Sequence, residues 1–373
     1  MDNKTKINWT TAFKISGAFA AYQIGAGFAS GQETMQYFGT FGGKYPYILP
    51  MFAFVLIAAY CFISYRTGSI MQFADPNAAY EHYCGKYFGK GLNIFTNLVI
   101  AMTVIVMFAG CGATIHQYLG FPVWVGSAVI GVLSAVVVLL GLEKVSNVLG
   151  FCGILIIAIM AFAGIYTITA ADVGLMDAQQ HVAEYVESGV LLRVDVLGIR
   201  NPFLTAFAFV GMGLALVMTF NVALGTSCKS KGDYCASALI SAVFFVTGVY
   251  TVLFTMLLNL DYIAETGAKV PMLAAIENAI PWLSLPYKII VCTGIFTTIV
   301  GFLWTVGRRF AEDGTTRQRI IVVVLDVVGI TIGSLIPLDR LVNLIFPIVG
   351  YAGMILFVCM VIKGIRGREE RAL

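Results

Sequence analysis

Two carboxylates stand within segments of the chain that are otherwise almost wholly apolar. Glu33 follows a glycine-rich run, and Asp326 lies in the middle of Ile320–Leu338. A carboxylate among apolar side chains in a membrane is energetically costly, so its presence usually reflects a function. We expect Glu33 to carry a proton or to anchor a cation, and the alternative is that it caps or pairs a short helix. For Asp326 we favour a hydrogen bond to a neighbouring helix, with a proton site as the alternative.

Glycine is concentrated at two places in these apolar segments. The first is Gly25–Glu33, which reads GAGFASGQE, and the second is Gly211–Gly213, which reads GMG. Each glycine lowers helix stability by roughly 1 kcal/mol relative to alanine, so the clusters predict a break in each helix. A break exposes main-chain N–H groups that suit a carboxylate and carbonyl groups that suit a cation. The alternative is that these glycines allow helices to pack closely.

Other arrangements of reactive residues are missing from the sequence. It has no GxSxG or HExxH motif and no paired catalytic acids in its apolar segments, so we do not expect an enzyme. The eight cysteines are scattered without a CxxC pair, and the three histidines are far apart. Neither set predicts a metal centre or a disulfide framework. The net charge of +3 comes mostly from basic loops and does not indicate nucleic-acid binding.

The composition requires a largely lipid environment. Of the 373 residues, 59% are hydrophobic and 12% are charged, whereas soluble domains are about 45–50% apolar and about 25% charged. A helix needs about 20 apolar residues to cross a bilayer. We therefore predict an all-α polytopic membrane protein of about ten transmembrane helices. The ten predicted spans are Ile15–Phe38, Tyr45–Tyr65, Gly91–Leu119, Phe121–Leu142, Val145–Ala171, Asn201–Cys228, Tyr234–Leu260, Ile289–Gly307, Ile320–Leu338 and Leu341–Ile362.

The distribution of basic residues predicts the orientation. Ten crossings put both termini on one side, and if that side is the cytoplasm, 17 of the 23 Lys and Arg residues lie there. Such a bias is what the positive-inside rule describes. A cleaved signal peptide is the alternative for the first run, but Glu33 directly after it and the later spans favour a retained helix. We predict a plasma (inner) membrane protein with both termini cytoplasmic. Six basic residues remain on the outer side: Lys44, Arg193, Arg200, Lys269, Lys288 and Arg340.

The two glycine clusters fall in spans one and six, which are equivalent positions in a chain of five plus five spans. Loops Thr67–Lys90 and Asp261–Ser284 each have 24 residues and lie on opposite sides of the membrane. Each loop contains a proline followed by a helix-like stretch, at Asn77–Tyr83 and Met272–Ala279. Because five spans is an odd number, the two halves must be inverted, an arrangement typical of transporters with broken helices. The predicted units are a first repeat at 1–173, an extracellular loop at 174–200 and a second repeat at 201–373.

The motif GAGFASGQE together with ten spans resembles the YkvI-like amino-acid permease family. That family is placed in the amino acid–polyamine–organocation superfamily, whose members have a LeuT-like fold. The resemblance implies that spans one and six unwind halfway and hold a solute between them. Phe207 and Phe209 flank the second cluster and are expected to line an apolar pocket. The expected substrate-binding residues are Gly25, Ala26, Gly27, Phe28, Ser30, Gly31, Phe207, Phe209, Gly211, Met212 and Gly213.

The same resemblance implies a sodium site between spans one and eight. The main-chain carbonyls of Ala21 and Ile24 and the hydroxyls of Thr297 and Thr298 would form it. Glu33 is a further expected ion-coupling residue, because its carboxylate stands in an apolar segment. The alternative for the threonines is a hydrogen bond to a carbonyl of their own helix. Phe28 stands where some relatives have an asparagine, so a second sodium ion is not expected. Span five has no lysine, which favours sodium over proton coupling.

These patterns predict an ion-coupled symporter of a small polar solute that works by alternating access, and the resemblance implies that the solute is an amino acid. Na+ or H+ is the expected coupling ion, and no other cofactor is expected. The expected partners are the small-molecule substrate, an amino acid or related amine, and the lipid bilayer. The alternatives are a proton-coupled permease for another amine or organic cation, and a sensor or channel on the same fold. A channel would need a ring of polar or charged residues along a pore, and one chain offers none.

Overall fold

The computed structural model describes residues 6–196, 198–268, 270–335 and 338–365, and for residues 26, 113, 117–119, 338–348 and 365 it describes the backbone alone. Within these ranges the chain forms sixteen α-helices and no β-strand, so the predicted all-α class is confirmed. The helices are α1 Trp9–Gln23, α2 Ala26–Ser30, α3 Gln32–Tyr37, α4 Tyr45–Met71, α5 Ala78–Cys84, α6 Lys86–Leu119, α7 Val123–Leu139, α8 Leu142–Ala170, α9 Val182–Glu187, α10 Pro202–Gly225, α11 Lys231–Leu258, α12 Leu260–Thr266, α13 Pro271–Ala279, α14 Ser284–Phe310, α15 Thr316–Gly333 and α16 Leu338–Ile365.

The helices match the ten predicted spans in order. Span one comprises α1 to α3, and spans two to five are α4, α6, α7 and α8. Spans six to ten are α10, α11, α14, α15 and α16. Among the described residues, six helices are long and apolar enough to cross a bilayer by length and composition. The protein is therefore a multi-pass membrane protein.

Helix α7 shows how the sequence separates lipid from protein. Its large apolar side chains, such as Val132 and Val136, are more than half exposed. Its opposite face carries small residues, including Gly131 and Ser134, which are buried. Large apolar residues thus face the bilayer, and small ones let neighbouring helices approach.

The two halves repeat the same helix pairings. Helix α1 packs along α8, which joins spans one and five, and α10 packs along α16, which joins spans six and ten. Likewise α6 packs on α15 and α7 packs on α14, which are equivalent pairs in an inverted repeat. The predicted helix-like stretches in the two long loops are also present, as α5 and α13. The exact division at 173 and 200 stays a prediction.

Span one is broken, as predicted. Helix α1 ends at Gln23, and Gly25 has an extended backbone with ψ −170°. A second interruption separates α2 from α3 at Gly31, whose φ of +85° lies in the left-handed region that favours glycine. A Cβ atom at Gly31 would also lie 2.1 Å from the Met256 sulfur, so a larger residue there would strain the backbone and displace the Met256 side chain.

The predicted break in span six is wrong, because α10 runs without interruption from Pro202 to Gly225. Its glycines serve close packing instead, which is the alternative that the sequence left open. A Cβ atom at Gly211 would lie 2.6 Å from the carbonyl oxygen of Gly350, and one at Gly353 would lie 1.7 Å from that of Gly211. The other glycine of the cluster, Gly213, makes room for the Gln23 side chain, whose amide nitrogen lies 2.5 Å from the position of a Cβ.

Candidate solute and ion site at the break in span one

A cavity of about 40 Å³ lies where the broken span one faces the intact α10. It has room for about three water molecules. Helices α4, α6, α11 and α14 complete its walls. The lining residues are Tyr22, Gln23, Gly25, Phe28, Glu33, Ile57, Thr103, Met107, Phe209, Val210, Met212, Gly213, Leu214, Leu216, Phe245, Thr298 and Phe302.

Glu33 reaches back from α3 to the break. A Cβ atom at Gly27 would lie 1.7 Å from Glu33 Oε1, so the carboxylate rests directly on the first turn of α2. The side chain lines the cavity and the residue is only 8% exposed. Within the described part of the chain, no Lys or Arg forms an ion pair with it. Glu33 is thus a buried carboxylate without a fixed counter-charge, at the place where the main chain is broken.

The predicted ion-coupling residues of α1 and α14 lie together. Thr297 donates a hydrogen bond to the carbonyl of Ala21 at 2.8 Å. Thr298 donates to the carbonyls of Tyr22 at 3.2 Å and Ala21 at 3.4 Å. A Cβ atom at Gly294 would lie 2.7 Å from the carbonyl oxygen of Ile24, so that carbonyl also faces α14. Two hydroxyls and the carbonyls at the end of α1 therefore share one buried site, although Thr297 also bonds to Gly294 of its own helix at 3.0 Å.

Aromatic side chains pack above and below the cavity. On the side where α10 begins, Phe209 contacts Phe38 at 4.9 Å between ring centroids, and Phe28 contacts Phe245 at 5.3 Å. On the other side, the Tyr22 ring stacks on Phe220 at 4.9 Å. The Tyr22 hydroxyl donates to the carbonyl of Leu216 at 2.8 Å. Aromatic rings thus lie on both sides of the cavity.

Several of the predicted substrate-binding residues lie away from the cavity. Phe207 contacts Phe357 of α16 at 5.7 Å, and Gly211 packs on the same helix. Ser30 donates to the carbonyl of Gly27 at 2.8 Å, and Gly31 joins α2 to α3. The side chain of Ala26 lies outside the described residues. Of the predicted set, the structure brings Gly25, Phe28, Phe209, Met212 and Gly213 to the wall, with Gly27 next to Glu33.

Sequence reasoning missed several lining residues, of which Gln23 is the most informative. This amide stands immediately before the break, at the last position of α1. A polar side chain next to a glycine cluster in an apolar run was a usable signal. Thr103 and Phe245 gave no such signal, because they lie on long helices whose rotation the sequence does not reveal.

Asp326 lies outside this site. Its two carboxylate oxygens lie 3.0 and 3.2 Å from the position of a Cβ at Gly131, so it packs against α7. The residue is 5% exposed and does not line the cavity. Its Oδ1 atom has no hydrogen-bond partner among the described residues, so the expected hydrogen bond to a neighbouring helix is not seen there.

No protein-family model matches the chain, but two curated proteins of Bacillus subtilis (strain 168) do. The uncharacterized protein YyaD is 25% identical over 354 residues, which cover 95% of this chain and 97% of the relative. The uncharacterized membrane protein YkvI is 22% identical over 347 residues, which cover 92% and 93%. The chain is therefore a distant homologue of YkvI and YyaD, and the predicted resemblance is confirmed.

The chain is also similar in fold to solved transporters. MhsT in complex with L-phenylalanine superposes with a TM-score of 0.66, with 95% of this chain and 89% of that one covered at 11% identity. A Na+-coupled sialic acid symporter gives 0.62, with 93% and 78% covered at 9% identity. Mhp1, a nucleobase-cation-symport-1 family transporter, gives 0.53, with 92% and 75% covered at 15% identity. The fold is thus the LeuT fold.

Proposed function

We propose that this protein is a secondary transporter that carries a small solute with an amino group, most simply an amino acid, together with a sodium ion. The observation that carries the proposal is the cavity at the break in span one. Glu33 and Thr298 line it, and Thr298 bonds to main-chain carbonyls at the end of α1, inside a membrane protein with the LeuT fold. Discontinuous helices of this kind are where transporters bind solutes and coupling ions.

Glu33 supports an amino group as one polar end of the solute. Its carboxylate is buried and lines the cavity. A charge pair in such surroundings interacts more strongly than in water. A solute that carried only a carboxylate would be repelled by ionised Glu33. An amino acid avoids the repulsion if its ammonium group faces Glu33, beside Gly27, and its carboxylate faces Thr298, beside Gly25.

The oxygen cluster between α1 and α14 supports sodium as the coupling ion. Carbonyl groups freed at the end of a broken helix are suited to a small cation. Here the carbonyls of Ala21 and Ile24 face the same helix as the two threonine hydroxyls. A sodium ion bound among them would neutralise the solute's carboxylate and would link α1 to α14.

Alternating access would require the aromatic rings to separate on one side at a time. An amino acid needs more room than 40 Å³, so substrate binding must be accompanied by movement of these rings. Phe209 and Phe245 would move for release to the side where α10 begins. Tyr22 and Phe220 would move for release to the opposite side.

The direct test is uptake of radiolabelled amino acids into sealed proteoliposomes, with an inward sodium gradient compared with choline. We expect saturable uptake of at least one amino acid that depends on the gradient. Absence of gradient-dependent uptake and of counterflow across a broad panel would remove amino acids as the substrate class.

The sodium site is tested by Thr298→Ala. Loss of one oxygen ligand is expected to raise the sodium concentration that gives half-maximal uptake by about tenfold, which corresponds to about 1.4 kcal/mol. Thr293→Ala is the matched control, since Thr293 lies on the same helix and bonds to Ile289 of that helix at 2.8 Å. If both variants keep the sodium response of the parent protein, the Thr298 hydroxyl merely ties α14 to α1.

Proton coupling is the second candidate, and the position of Glu33 favours it. A buried carboxylate without a basic partner among the described residues is well placed to gain and lose a proton during transport. Uptake driven by an imposed pH gradient, with sodium absent from both sides, would favour this candidate over sodium coupling.

A further inference from the structure

Gln23, the last residue of α1, brings a side-chain amide to the cavity at the break in span one. The residue is partly exposed, whereas its neighbours Tyr22 and Ile24 are 0% and 1% exposed. Gln23 lines the cavity, so its exposed surface faces that space. No hydrogen bond joins the side-chain amide to any residue that the structure describes. The amide can therefore bond to an occupant of the cavity.

Gly213 of α10 determines where this amide lies. A Cβ atom at Gly213 would lie 2.5 Å from Gln23 Nε2 and 3.5 Å from Gln23 Oε1. The amide therefore lies between the broken span and the main chain of α10. A side chain at position 213 would displace it, so the amide can be moved without a change at Gln23 itself.

The other neutral donors in the cavity wall have already committed their protons. The hydroxyls of Tyr22, Thr103 and Thr298 each donate to a main-chain carbonyl, at 2.8, 2.8 and 3.2 Å. The carboxylate of Glu33, when it is ionised, can only accept. Among the lining residues, which include no Lys or Arg, Gln23 is therefore the side chain whose N–H groups are uncommitted.

These groups define two ends of a solute. Ionised Glu33 requires a cationic donor such as an ammonium group, and the N–H groups of Gln23 require an acceptor. A carboxylate is the strongest acceptor that a small solute carries, since a hydrogen bond to a charged group contributes about 1.5–3 kcal/mol. Gln23 also stands two residues before Gly25, beside which the carboxylate lies in the proposed arrangement. A simple amine would satisfy Glu33 and leave the Gln23 amide unpaired.

We propose that Gln23 binds the carboxylate of the transported solute and makes the site selective for amino acids over amines that lack this group. This role rests on the function proposed above and separates an amino acid from another amine or organic cation as the substrate. Gln23 Nε2 donates to the carboxylate, and Glu33 accepts from the ammonium group at the other end of the same molecule.

The test is isothermal titration calorimetry of the purified full-length protein in sodium buffer with three matched pairs of probes. The pairs are L-alanine with ethylamine, L-leucine with isoamylamine and L-phenylalanine with phenethylamine. The members of a pair differ only by the carboxylate, so the ratio of their Kd values measures its recognition. We expect the amino acid to bind at least about tenfold more tightly than its amine in at least one pair.

Two substitutions at Gln23 change that ratio in different ways. Gln23→Leu removes the donor and should weaken amino-acid binding by about tenfold, or about 1.4 kcal/mol, while amine binding is unchanged. Gln23→Glu should reverse the preference, because a second carboxylate repels that of the amino acid and attracts an ammonium group. A purely structural role for Gln23 would weaken both members of a pair equally and would contradict the proposal.

Gly213→Ala is a further variant, should the substitutions at Gln23 prevent folding. Its Cβ displaces the amide and should lower the ratio several-fold. Gln180→Glu is the control, because it makes the same charge change at an exposed residue far along the chain and should keep the parent ratio. If the Gln23 variants keep the parent ratio, the role of Gln23 is overturned and the amino-acid function stands. If the parent protein binds none of the six probes, both fail.

Discussion

At the residue scale, the side chain of Glu33 packs directly against the main chain at Gly27. The carboxylate occupies the space where any other residue at position 27 would place its Cβ atom, only 1.7 Å from Glu33 Oε1. Any other residue at position 27 would therefore displace the Glu33 side chain from its place beside α2. The pair places the carboxylate of Glu33 against the first turn of α2.

Glu33→Gln removes this charge and keeps the shape of the side chain. We expect it to raise the KM for an amine-bearing substrate by about tenfold, or about 1.4 kcal/mol, and to flatten the pH profile of uptake. Initial rates of proteoliposome uptake over a pH series measure both quantities. Glu265→Gln on α12 makes the same change at an exposed residue and should have no effect. A Glu33→Gln variant with the parent KM and pH profile would leave Glu33 with a structural role.

Part of the candidate site could be predicted at this scale. The approach of Thr297 and Thr298 to the carbonyl of Ala21 was expected from the resemblance, and the structure brings these groups within hydrogen-bond distance. Whether they bind sodium stays a prediction. The aromatic contacts of Phe245 could not be predicted, because they depend on how three helices rotate relative to each other.

At the element scale, two similar glycine clusters have different structural roles. The cluster at Gly25 interrupts its helix, and the cluster at Gly211 does not. The difference lies in the neighbours: Gly211 faces the main chain of α16 at Gly350 and Gly353, so its lack of a side chain stabilises helix packing. The two glycine clusters look alike in the sequence of their own helices. Only the residues that pack against each cluster distinguish a broken helix from a close helix contact.

Gly211→Ala tests this explanation. The added Cβ would lie 2.6 Å from the carbonyl oxygen of Gly350, so α10 and α16 must move apart at a cost of about 1–3 kcal/mol. Thermal unfolding in detergent should show a lower Tm. Gly91→Ala in α6 is the matched control, since its Cβ meets no atom within 4 Å and should raise helix stability by about 1 kcal/mol. Equal shifts for the two variants would contradict the packing role.

A second element-scale feature joins α9 to α12 outside the spans. Asp261 accepts hydrogen bonds from His181 at 2.9 Å and from Tyr185 at 3.0 Å. Its carboxylate raises the pKa of His181, and the hydrogen bond from His181 lowers the pKa of Asp261. Protonated His181 stabilises this connection fully at pH values below the pKa that His181 has in the unfolded chain. This stabilisation is lost as pH rises through the raised pKa of His181 in the folded protein. The stabilisation by ionised Asp261 is lost as pH falls through the lowered pKa of Asp261.

The connection should therefore be strongest where Asp261 is ionised and His181 is protonated, between about pH 4 and about pH 6.5. Hydrogen-exchange protection of the α9 and α12 amides, corrected for intrinsic rates, is expected to fall as pH rises above about 6.5 and through the raised pKa of His181. His181→Gln should remove that dependence. Equal pH dependence in the parent protein and the variant would show that another group controls these helices.

At the scale of the whole molecule, composition and span counting predicted most of the fold. The inverted repeat was predicted from three features: apolar runs of sufficient length, two long loops on opposite sides and an odd number of spans per half. The pairing of α1 with α8 and of α10 with α16 agrees with it. The orientation in the membrane depends on charge alone and stays a prediction.

Cysteine labelling tests that orientation. Ser188 and Glu312 are both exposed and lie in loops predicted to be on opposite sides. We expect S188C to react with an impermeant maleimide in intact cells and E312C to react only after permeabilisation. The parent protein, with its eight native cysteines, provides the background. The reverse pattern would invert the topology.

The broken span one and the intact α10 would contribute different kinds of groups to the proposed solute site. On one side of the cavity, polar main-chain atoms are fixed by the backbone and depend little on side-chain identity. On the other side, a regular helix presents interchangeable side chains such as Met212 and Phe209. If the cavity binds a solute as proposed, substitutions on α10 would change which solute binds and would leave the main-chain groups of the broken span unchanged.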